Sequence, residues 1–401
     1  MIGIELNGKY NSAKIFSDMV DNEAMGQIIN ILNNEDFKDS KIRIMPDCHA
    51  GKNCVIGFTM EIKDKVCVNL VGGDIGCGVL AYKIKEKELD FAKLEDFIRN
   101  NISMGQNCSI KKHKLLNKIE IDKLKCKNNI NINRGIETFF SLGGGNHFIE
   151  IDKSQNGDLY LIVHTGSRGL GAEVSKYYQK LVEKEICNNK KEKEELINRL
   201  KAQNREKDIE KELKRQFPKK ENVKFKKELM CISGKNFNDY IHDMKIVQDF
   251  SEMNRIAILD TIVEGFNLHV LDKISSIHNY IDIDNMILRK GAISAQKDES
   301  LIIPMNMKFG CIIGKGKGNP DANFSAPHGA GRVYSRSKAK EFLSVAEFQE
   351  EMSDVWSKSV CENTIDESPM AYKPPTEILD NISDLVQVTD ILKSIYNVKA
   401  L

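Results

Sequence analysis

Short runs of β-branched and aliphatic residues alternate with glycine-rich turns over residues 1–172. The clearest runs are KIRIMPD (41–47), VIGFTMEI (55–62), VCVNLVGGD (66–74) and LYLIVHTGSRG (159–169). Apolar runs of this length, bounded by Gly, Asn and Asp, predict strands that end in loops. The same pattern returns over residues 285–332, and we expect a helical segment to close the chain.

The middle of the chain has a different pattern. Residues 173–225 are highly charged and nearly free of glycine, with apolar residues at helical spacing, which predicts one or two long solvated helices. Residues 239–269 predict a further helix. Because loops of similar character lie on both sides of the charged segment, we expect one composite domain over residues 1–401, with 173–228 as a helical insertion.

Composition places the chain among ordinary globular proteins, with 41% hydrophobic residues. No secretory signal opens the sequence, and no run approaches the roughly 18 apolar residues that a membrane-spanning helix needs. We therefore expect a soluble cytoplasmic protein without membrane contact, whose ten cysteines are mostly buried thiols. The 59 basic and 58 acidic residues give a net charge of +1, which neither favours nor excludes a nucleic-acid partner.

Five loops combine glycine with residues able to bind metals. They are 72–78 (GGDIGCG), 143–148 (GGGNHF), 164–169 (HTGSRG), 278–280 (HNY) and 328–332 (HGAGR). A thiolate, imidazoles and a carboxylate are common ligands of divalent metals, and the neighbouring glycines leave backbone N–H groups free to face phosphate oxygens. The candidate ligands are Asp74, Cys77, His147, His164 and His278.

The other residues of these types receive simpler interpretations. Cys48 and Cys54 compete with Cys77 as the thiolate ligand, and His49 stays ambiguous because it lies in another glycine loop. Ordinary core or surface roles are expected for His113, His242 and His269, and Asp152 is expected at the surface.

His328 lies among glycines and two arginines, Arg332 and Arg336, without a neighbouring carboxylate. In such surroundings an imidazole nitrogen can attack phosphorus and form a phosphoramidate. The alternatives are a general acid or a fifth metal ligand. Spacing alone does not decide among these three roles.

An ordered set of motifs resembles the RtcB RNA ligase family. It comprises MPDCHAGK (45–52), GGDIGCG (72–78), GGGNHFIE (143–150), HTGSRGLG (164–171), YIHDMKIVQDFSEMNR (240–255), HNY (278–280), RKGAISA (289–295), SAPHGAGRVYSR (325–336) and DESPMAYKP (366–374). The resemblance implies an α+β fold, with mixed and antiparallel sheets around a deep cleft holding two Mn²⁺ ions. By position, Cys77 would bridge the metals, with His164 and His278 on one and Asp74 and His147 on the other.

The resemblance also implies an activity and further site residues. The reaction would be GTP-dependent joining of RNA 3′-phosphate or 2′,3′-cyclic phosphate ends to 5′-hydroxyl ends, in tRNA splicing or RNA repair. His328 would carry GMP covalently, oriented by Asp47. The residues expected around GTP are Asn146, Glu150, Asn306, Cys311, Gly329, Ala330, Gly331, Tyr372 and Lys399. Those expected on RNA phosphate are Arg168, Lys290 and Arg332.

We expect RNA, GTP and an archease-type activator as partners of a monomeric enzyme. A two-metal RNA-end phosphohydrolase that uses no nucleotide is the alternative function. Thiolate and imidazole ligands favour Zn²⁺ by affinity, so Mn²⁺ is expected only from the resemblance, with Zn²⁺ as an inhibitor. Asn306, Lys308 and Cys311 depart from the family pattern, and Lys308 is expected either to contact phosphate or to block the nucleotide pocket.

Overall fold

The structure is a computed structural model that describes residues 3–105, 113–203, 205–216 and 228–401. Its largest sheet has six strands in the order β1-β2-β3-β4-β14-β13. These strands are β1 (Ile4–Asn7), β2 (Ser12–Ile15), β3 (Ile42–His49), β4 (Ile56–Glu61), β13 (Asn279–Asp282) and β14 (Ile287–Lys290). All neighbours are antiparallel except β2 and β3.

A five-stranded antiparallel sheet has the order β12-β6-β10-β9-β20. Its strands are β6 (Gly78–Ile84), β9 (Phe148–Lys153), β10 (Leu159–Thr165), β12 (Val270–Ile277) and β20 (Lys393–Val398). Every residue of the central strand β10 is buried, as expected for a strand covered on both faces. Strands β12 and β6 pair although the whole helical middle of the chain separates them in sequence.

A three-stranded sheet, β16-β17-β19, packs beside the five-stranded one. Its strands are β16 (Ser300–Asn306), β17 (Gly310–Gly316) and β19 (Val386–Ile391). Three two-stranded pairs complete the described β-structure: β5 (Lys65–Val66) with β11 (Ile232–Ser233), β7 (Ser103–Met104) with β8 (Ser141–Gly143), and β15 (Ala292–Ser294) with β18 (Ser325–Pro327). The predicted α+β fold with mixed and antiparallel sheets is confirmed.

The α-helices are α1 (Asn22–Leu32), α2 (Phe91–Asn101), α3 (Ile132–Glu137), α4 (Arg168–Ala202), α5 (Ile209–Gln216), α6 (Gly234–Phe266), α7 (Arg336–Phe342), α8 (Val345–Glu351) and α9 (Pro375–Asn381). Short 3₁₀ helices span Glu35–Phe37, Val68–Leu70, Lys114–Lys118, Ile121–Lys123, Lys127–Asn129, Glu206–Asp208, Pro320–Ala322, Glu362–Glu367 and Pro369–Ala371. Helix α6 is the main internal support, since Ile258, Leu259 and Ile262 are fully buried against the sheets. It ends at Asn267, whose left-handed backbone (φ 52°) closes the last turn.

Helices α4 and α5 occupy the charged segment, part of which lies outside the described residues. The first turns of α4 bury Leu170, Val174 and Tyr178 in the core. Most side chains described beyond Glu183 are exposed, apart from inward residues such as Leu196. The domain limits 1–401 and 173–228 stay predictions. No helix in the described part of the chain combines the length and apolarity needed to cross a bilayer.

Three predicted segments differ from the structure. The run at 66–74 is a strand only at its start, because a 3₁₀ helix at Val68–Leu70 replaces the extended chain. The chain does not close on helices: α7, α8 and α9 are short, and the final elements are β19 and β20. The helix predicted at 239–269 begins earlier, at Gly234, and ends at Phe266.

Candidate metal centre and active-site cavity

The candidate ligands converge at one edge of the five-stranded sheet. Cys77 Sγ lies 3.4 Å from His147 Nε2 and 3.3 Å from His164 Nε2. His164 Nε2 lies 3.3 Å from His278 Nε2, and His147 Nε2 lies 3.2 Å from Asp74 Oδ2. All five predicted ligands therefore form one continuous cluster.

Strand register explains this convergence. Gly78, the first residue of β6, pairs with Thr165 of β10 on one side and with Ile277 of β12 on the other. Cys77 and His278 directly adjoin these paired positions, and His164 of β10 precedes Thr165. Because Phe148 pairs with His164, His147 is also brought to the same edge. Candidate ligands that are far apart in sequence thus meet where four strands begin or end.

Backbone carbonyl groups set the orientation of two imidazoles. His147 Nδ1 lies 3.0 Å from the Leu142 carbonyl oxygen, and His164 Nδ1 lies 3.2 Å from that of Asn146. Arg168 also lies 3.1 Å from His147 Nδ1. At His164, a proton on Nδ1 satisfies the Asn146 carbonyl and leaves Nε2 as the lone-pair atom that faces Cys77. This is the usual outer-shell arrangement of metal-binding histidines.

Arg255 of α6 supports the ligand loops from behind. It is buried, and its guanidinium donates to the carbonyl oxygens of Gly76 (2.7 Å) and Thr165 (2.9 Å). Gly76 has φ 68°, and an added Cβ there would lie 2.9 Å from Ser251 Oγ. The loop that carries Cys77 therefore packs against α6 in a conformation that favours glycine.

Protonation in the cluster follows from burial. Burial, with the neighbouring imidazoles, holds the pKa of His164 and His278 well below the ordinary value, so both are neutral. Burial, followed by the charge of Asp74, raises the pKa of the Cys77 thiol well above its ordinary value. Burial would also raise the pKa of Asp74, but contacts with His147 and Arg168 lower it overall. Binding of a divalent cation would release the thiol proton.

The donor set fits a divalent cation on chemical grounds. Bonds of about 2.0–2.3 Å to nitrogen, oxygen and sulfur place neighbouring ligand atoms of a tetrahedron roughly 3.3–3.7 Å apart. The observed separations of 3.2–3.4 Å lie close to this range. The ligand atoms of Cys77, His147 and His164 all lie within 4.8 Å of one another, so the Cys77 sulfur is within reach of a cation held by either histidine.

His328 lies beside this cluster, directly after β18. Its ring centroid is 4.7 Å from that of His278. Asp47 of β3 is fully buried, and its Oδ2 lies 2.6 Å from His328 Nδ1 while also accepting the His328 backbone N–H at 3.0 Å. The carboxylate missing from the local sequence around His328 thus comes from a distant strand. It fixes Nδ1 as the protonated nitrogen and leaves Nε2 with a lone pair.

A cavity of about 1580 Å³ opens next to His328. The predicted nucleotide residues that line it are Asn146, Glu150, Asn306, Gly329, Ala330, Gly331, Tyr372 and Lys399. Asp74, Cys77, His164, His278 and Arg332 line it as well, whereas His147 lies behind them. The metal-type cluster therefore forms one wall of a cavity large enough for a nucleotide.

Glu367, which the sequence interpretation did not single out, connects the basic groups of the cavity. It contacts Lys399 Nζ at 3.3 Å and Arg332 at 3.5 Å, accepts the Tyr372 hydroxyl at 2.7 Å, and also pairs with Arg336. Burial opposes its ionisation, but Lys399 and the two arginines lower its pKa to about 2. Glu367 belongs to the motif DESPMAYKP, and this was the sequence feature from which its place in the site could have been predicted.

Several predicted residues do not reach the cavity. Lys290 donates to the Val71 carbonyl oxygen (2.8 Å), and Arg168 lies 3.1 Å from His147 Nδ1. Their expected contacts with RNA stay predictions. Lys308 pairs with Glu351 at 2.8 Å, so it neither lines nor blocks the cavity. Cys311 does not line the cavity either. Its Sγ lies 3.4 Å from Glu150 Oε1, and Glu150 separates it from the cavity.

Among the remaining candidates, the surface prediction for Asp152 is wrong. Asp152 is fully buried, because it points to the same side of β9 as Glu150, towards β17. Cys54 is remote from the ligand cluster, while Cys48 and His49 line the cavity. His113, His242 and His269 lie away from it.

Comparison with known proteins agrees with this geometry. Residues 27–129 and 111–400 match the family described as "tRNA-splicing ligase RtcB". The chain is 28% identical to the RNA-splicing ligase RtcB of Escherichia coli K12, over 95% of each chain. It is 25% identical to the tRNA-splicing ligase RtcB of Aeropyrum pernix, over 82% of this chain and 81% of the relative. The chain therefore belongs to the RtcB family.

Proposed function

We propose that the protein is an RNA ligase that uses GTP and Mn²⁺ to join a 3′-phosphate or 2′,3′-cyclic phosphate end to a 5′-hydroxyl end. The observation that carries this proposal is the position of His328. An imidazole held by a buried carboxylate lies between a metal-type cluster and a nucleotide-sized cavity. The names of the relatives, which are RNA-splicing and tRNA-splicing ligases, support the same substrate class.

The proposed reaction begins with nucleotide attack. Asp47 holds the Nδ1 proton, so the Nε2 lone pair of His328 attacks the α-phosphorus of GTP. A P–N bond forms, the bond to pyrophosphate breaks, and pyrophosphate leaves. The charge of Asp47 stabilises the positive charge that develops on the ring.

Two transfers complete the reaction. An oxygen of the RNA 3′-phosphate attacks the phosphorus of His328–GMP, and the P–N bond breaks to regenerate the imidazole. The 5′-hydroxyl then attacks the activated 3′-phosphorus, forms the phosphodiester and expels GMP. A cyclic phosphate end must first be hydrolysed to a 3′-phosphate.

Cations at the Cys77 cluster would supply charge neutralisation for these phosphoryl transfers. Asp74, Cys77 and His147 would hold one, and Cys77, His164 and His278 the other. Lys399, Arg332 and Tyr372 surround the part of the cavity where we place the nucleotide. Mn²⁺ is proposed from family membership, and Zn²⁺ is expected to bind and inhibit because thiolate and imidazole ligands favour it.

The decisive test is formation of the covalent intermediate. The full-length protein is incubated with α-labelled GTP and Mn²⁺, and the expected product is an acid-labile protein–GMP adduct that is absent from His328→Ala. The matched control is His269→Ala, which removes an exposed histidine paired with Glu86 and should retain the adduct. Metal-dependent phosphate release from RNA ends without any adduct would instead establish the phosphohydrolase.

The physiological RNA is tested separately. The departures at Asn306, Lys308 and Cys311 lead us to propose that this protein repairs cleaved RNA in preference to splicing tRNA. Sealing rates are compared for tRNA halves and for cleaved rRNA fragments. Equal or faster sealing of tRNA halves would contradict the preference without affecting the ligase proposal.

A further inference from the structure

Behind the cavity wall lies a second group of metal-type ligands, formed by Glu150, Asp152 and Cys311. Their ligand atoms all lie within 4.8 Å of one another, and all three residues are buried. Cys311 Sγ is 3.4 Å from Glu150 Oε1, a separation close to that of neighbouring ligands around one cation. Glu150 and Asp152 belong to β9, and Cys311 belongs to β17.

Asp152 lacks hydrogen-bond donors from outside this group of three residues. Its side chain is fully buried, and among the described residues no group meets its carboxylate oxygens at hydrogen-bond geometry, Cys311 being the nearest donor. The Glu150 carboxylate, in contrast, accepts a hydrogen bond from Asn397 Nδ2 at its Oε2 (2.8 Å). An ionised carboxylate without a counter-charge is strongly unfavourable in a protein interior.

No cationic side chain in the described structure pairs directly with the three residues. Lys399 acts on Glu150 through its charge, but its ammonium group makes its ion pair with Glu367. Asn397 and the buried Ser394 are polar neighbours but carry no charge, and Ile162, Ile302 and Leu392 pack between the two sheets. The cluster must therefore bind protons or a cation to be neutral.

The backbone leaves room beside the carboxylate. A Cβ added to Gly310 would lie 2.7 Å from Asp152 Oδ2 and 2.7 Å from the Leu392 carbonyl oxygen. Gly310 has φ 66°, so glycine is favoured there for its conformation as well. The carboxylate, the Leu392 carbonyl oxygen and the Ser394 backbone nitrogen thus face the same small space.

We propose that Glu150, Asp152 and Cys311 bind a divalent cation of the Zn²⁺ type, separate from the Cys77 cluster. One thiolate with two carboxylates is a mixed donor set that suits Zn²⁺ or Co²⁺, and the Leu392 carbonyl or water can complete four-coordination. The cation would join the five-stranded sheet to the three-stranded sheet. It would also fix Glu150, which lines the cavity, from behind.

Without a cation, burial favours the protonated forms of these carboxyl groups. Burial, followed by the charge of Glu150, raises the pKa of Asp152 well above its ordinary value. Burial raises the pKa of Glu150 to about 7. A divalent cation would displace the protons that these groups otherwise retain. The proposal does not depend on ligase activity.

The test uses Co²⁺, whose bond to thiolate gives a charge-transfer absorption band. Because Cys77 would give its own band, the full-length Cys77→Ser variant is stripped of metal and titrated with Co²⁺. We expect Co²⁺ bound at this site to produce the thiolate band, whereas Co²⁺ bound by the histidines that remain beside position 77 gives no such band. The band should be absent in Cys77→Ser/Cys311→Ser, and Co²⁺ affinity should fall at least tenfold in Cys77→Ser/Asp152→Asn.

The matched control is Cys77→Ser/Cys54→Ser, which removes a buried thiol that bonds to the Val55 carbonyl and should retain the band. Thermal unfolding of each variant with and without Co²⁺ checks that it is folded. Co²⁺ should raise the midpoint of Cys77→Ser more than that of Cys77→Ser/Cys311→Ser, because the histidines that remain beside position 77 can bind Co²⁺ in both variants. Absence of a thiolate band in folded Cys77→Ser, or a band that survives removal of Cys311, would overturn the proposal.

Discussion

At the scale of single residues, the contact between His328 and Asp47 has the clearest functional consequence. Asp47→Asn keeps the shape of the side chain but removes the charge that faces Nδ1 at 2.6 Å. We expect the rate of protein–GMP formation to fall at least ~10²-fold, because ring orientation and charge stabilisation are both weakened. Single-turnover labelling with GTP measures this rate.

In that experiment, the dependence of the labelling rate on GTP concentration distinguishes a role of Asp47 in positioning His328 from a role in binding GTP. Since Asp47 contacts His328 and not the space assigned to the nucleotide, the half-saturating GTP concentration should stay nearly constant. Asp96→Asn removes an exposed carboxylate on α2 and serves as the matched control. A normal labelling rate in folded Asp47→Asn would contradict the positioning role.

Glu367 predicts a pH dependence of stability. Its pKa is lowered from 4.5 to about 2, so its interactions stabilise the folded state fully above about pH 4.5 and are lost as the pH falls towards 2. A difference of 2.5 pKa units corresponds to an order-of-magnitude contribution of about 3 kcal/mol. Denaturant unfolding should show Glu367→Gln to be less stable than the unmodified protein at pH 7.

The same comparison at lower pH provides the check. The stability difference should shrink between pH 4.5 and 2, because the carboxylate of the unmodified protein becomes protonated as well. Glu88→Gln, at an exposed position in the loop before α2, is a suitable control for carboxylate removal. A difference independent of pH would show that Glu367 acts through packing alone.

At the scale of elements, α6 should control metal affinity through Arg255. Arg255→Met leaves the Gly76 and Thr165 carbonyl groups without their donor and loosens the loops that carry Cys77 and His164. We expect Mn²⁺ affinity to fall about 10–100-fold, measured by electron paramagnetic resonance of free Mn²⁺. Lys245→Met alters an exposed position of the same helix and should not change this affinity. Unchanged binding in Arg255→Met would mean that the loops hold their geometry without α6.

Individual strands and helices show which parts of the fold could be predicted from the sequence. The run at 159–165 is correctly predicted as a strand because apolar side chains on both faces require burial. The run at 66–74 is equally apolar, yet a 3₁₀ helix buries Val68 and Leu70 instead, and hydrophobicity alone does not distinguish these outcomes. Residues 386–398 form strands only through pairing with β17 and β9, which are distant in sequence.

The candidate site could likewise be predicted from the sequence only in part. Loops that combine glycine with histidine, cysteine or aspartate predicted the five candidate ligands that the structure brings together, because these residue types share one chemistry. Asp152 was misjudged because its burial depends on a neighbouring sheet and not on its own strand. Glu367 was missed because its role appears only when four cationic or hydroxyl groups from other segments meet it.

At the scale of the whole molecule, a net charge of +1 means that RNA binding must depend on local lysines and arginines. Lys52 and Lys338 are exposed at the cavity, come from segments far apart in the sequence, and belong to neither ligand cluster. If RNA ends enter there, each lysine neutralises phosphate and releases counterions. Together they should account for a measurable part of the salt dependence of binding.

We therefore expect Lys338→Ala to weaken binding of a single-stranded RNA with a 3′-phosphate and to reduce the salt slope. The slope of log affinity against log salt concentration should decrease in magnitude by about 0.7 for each phosphate that the protein no longer neutralises. Fluorescence anisotropy without GTP measures this, with Lys93→Ala on α2 as the control because Lys93 is exposed away from the cavity. Equal slopes for the two variants would place the RNA path elsewhere, since a lysine that neutralises no phosphate releases no counterion.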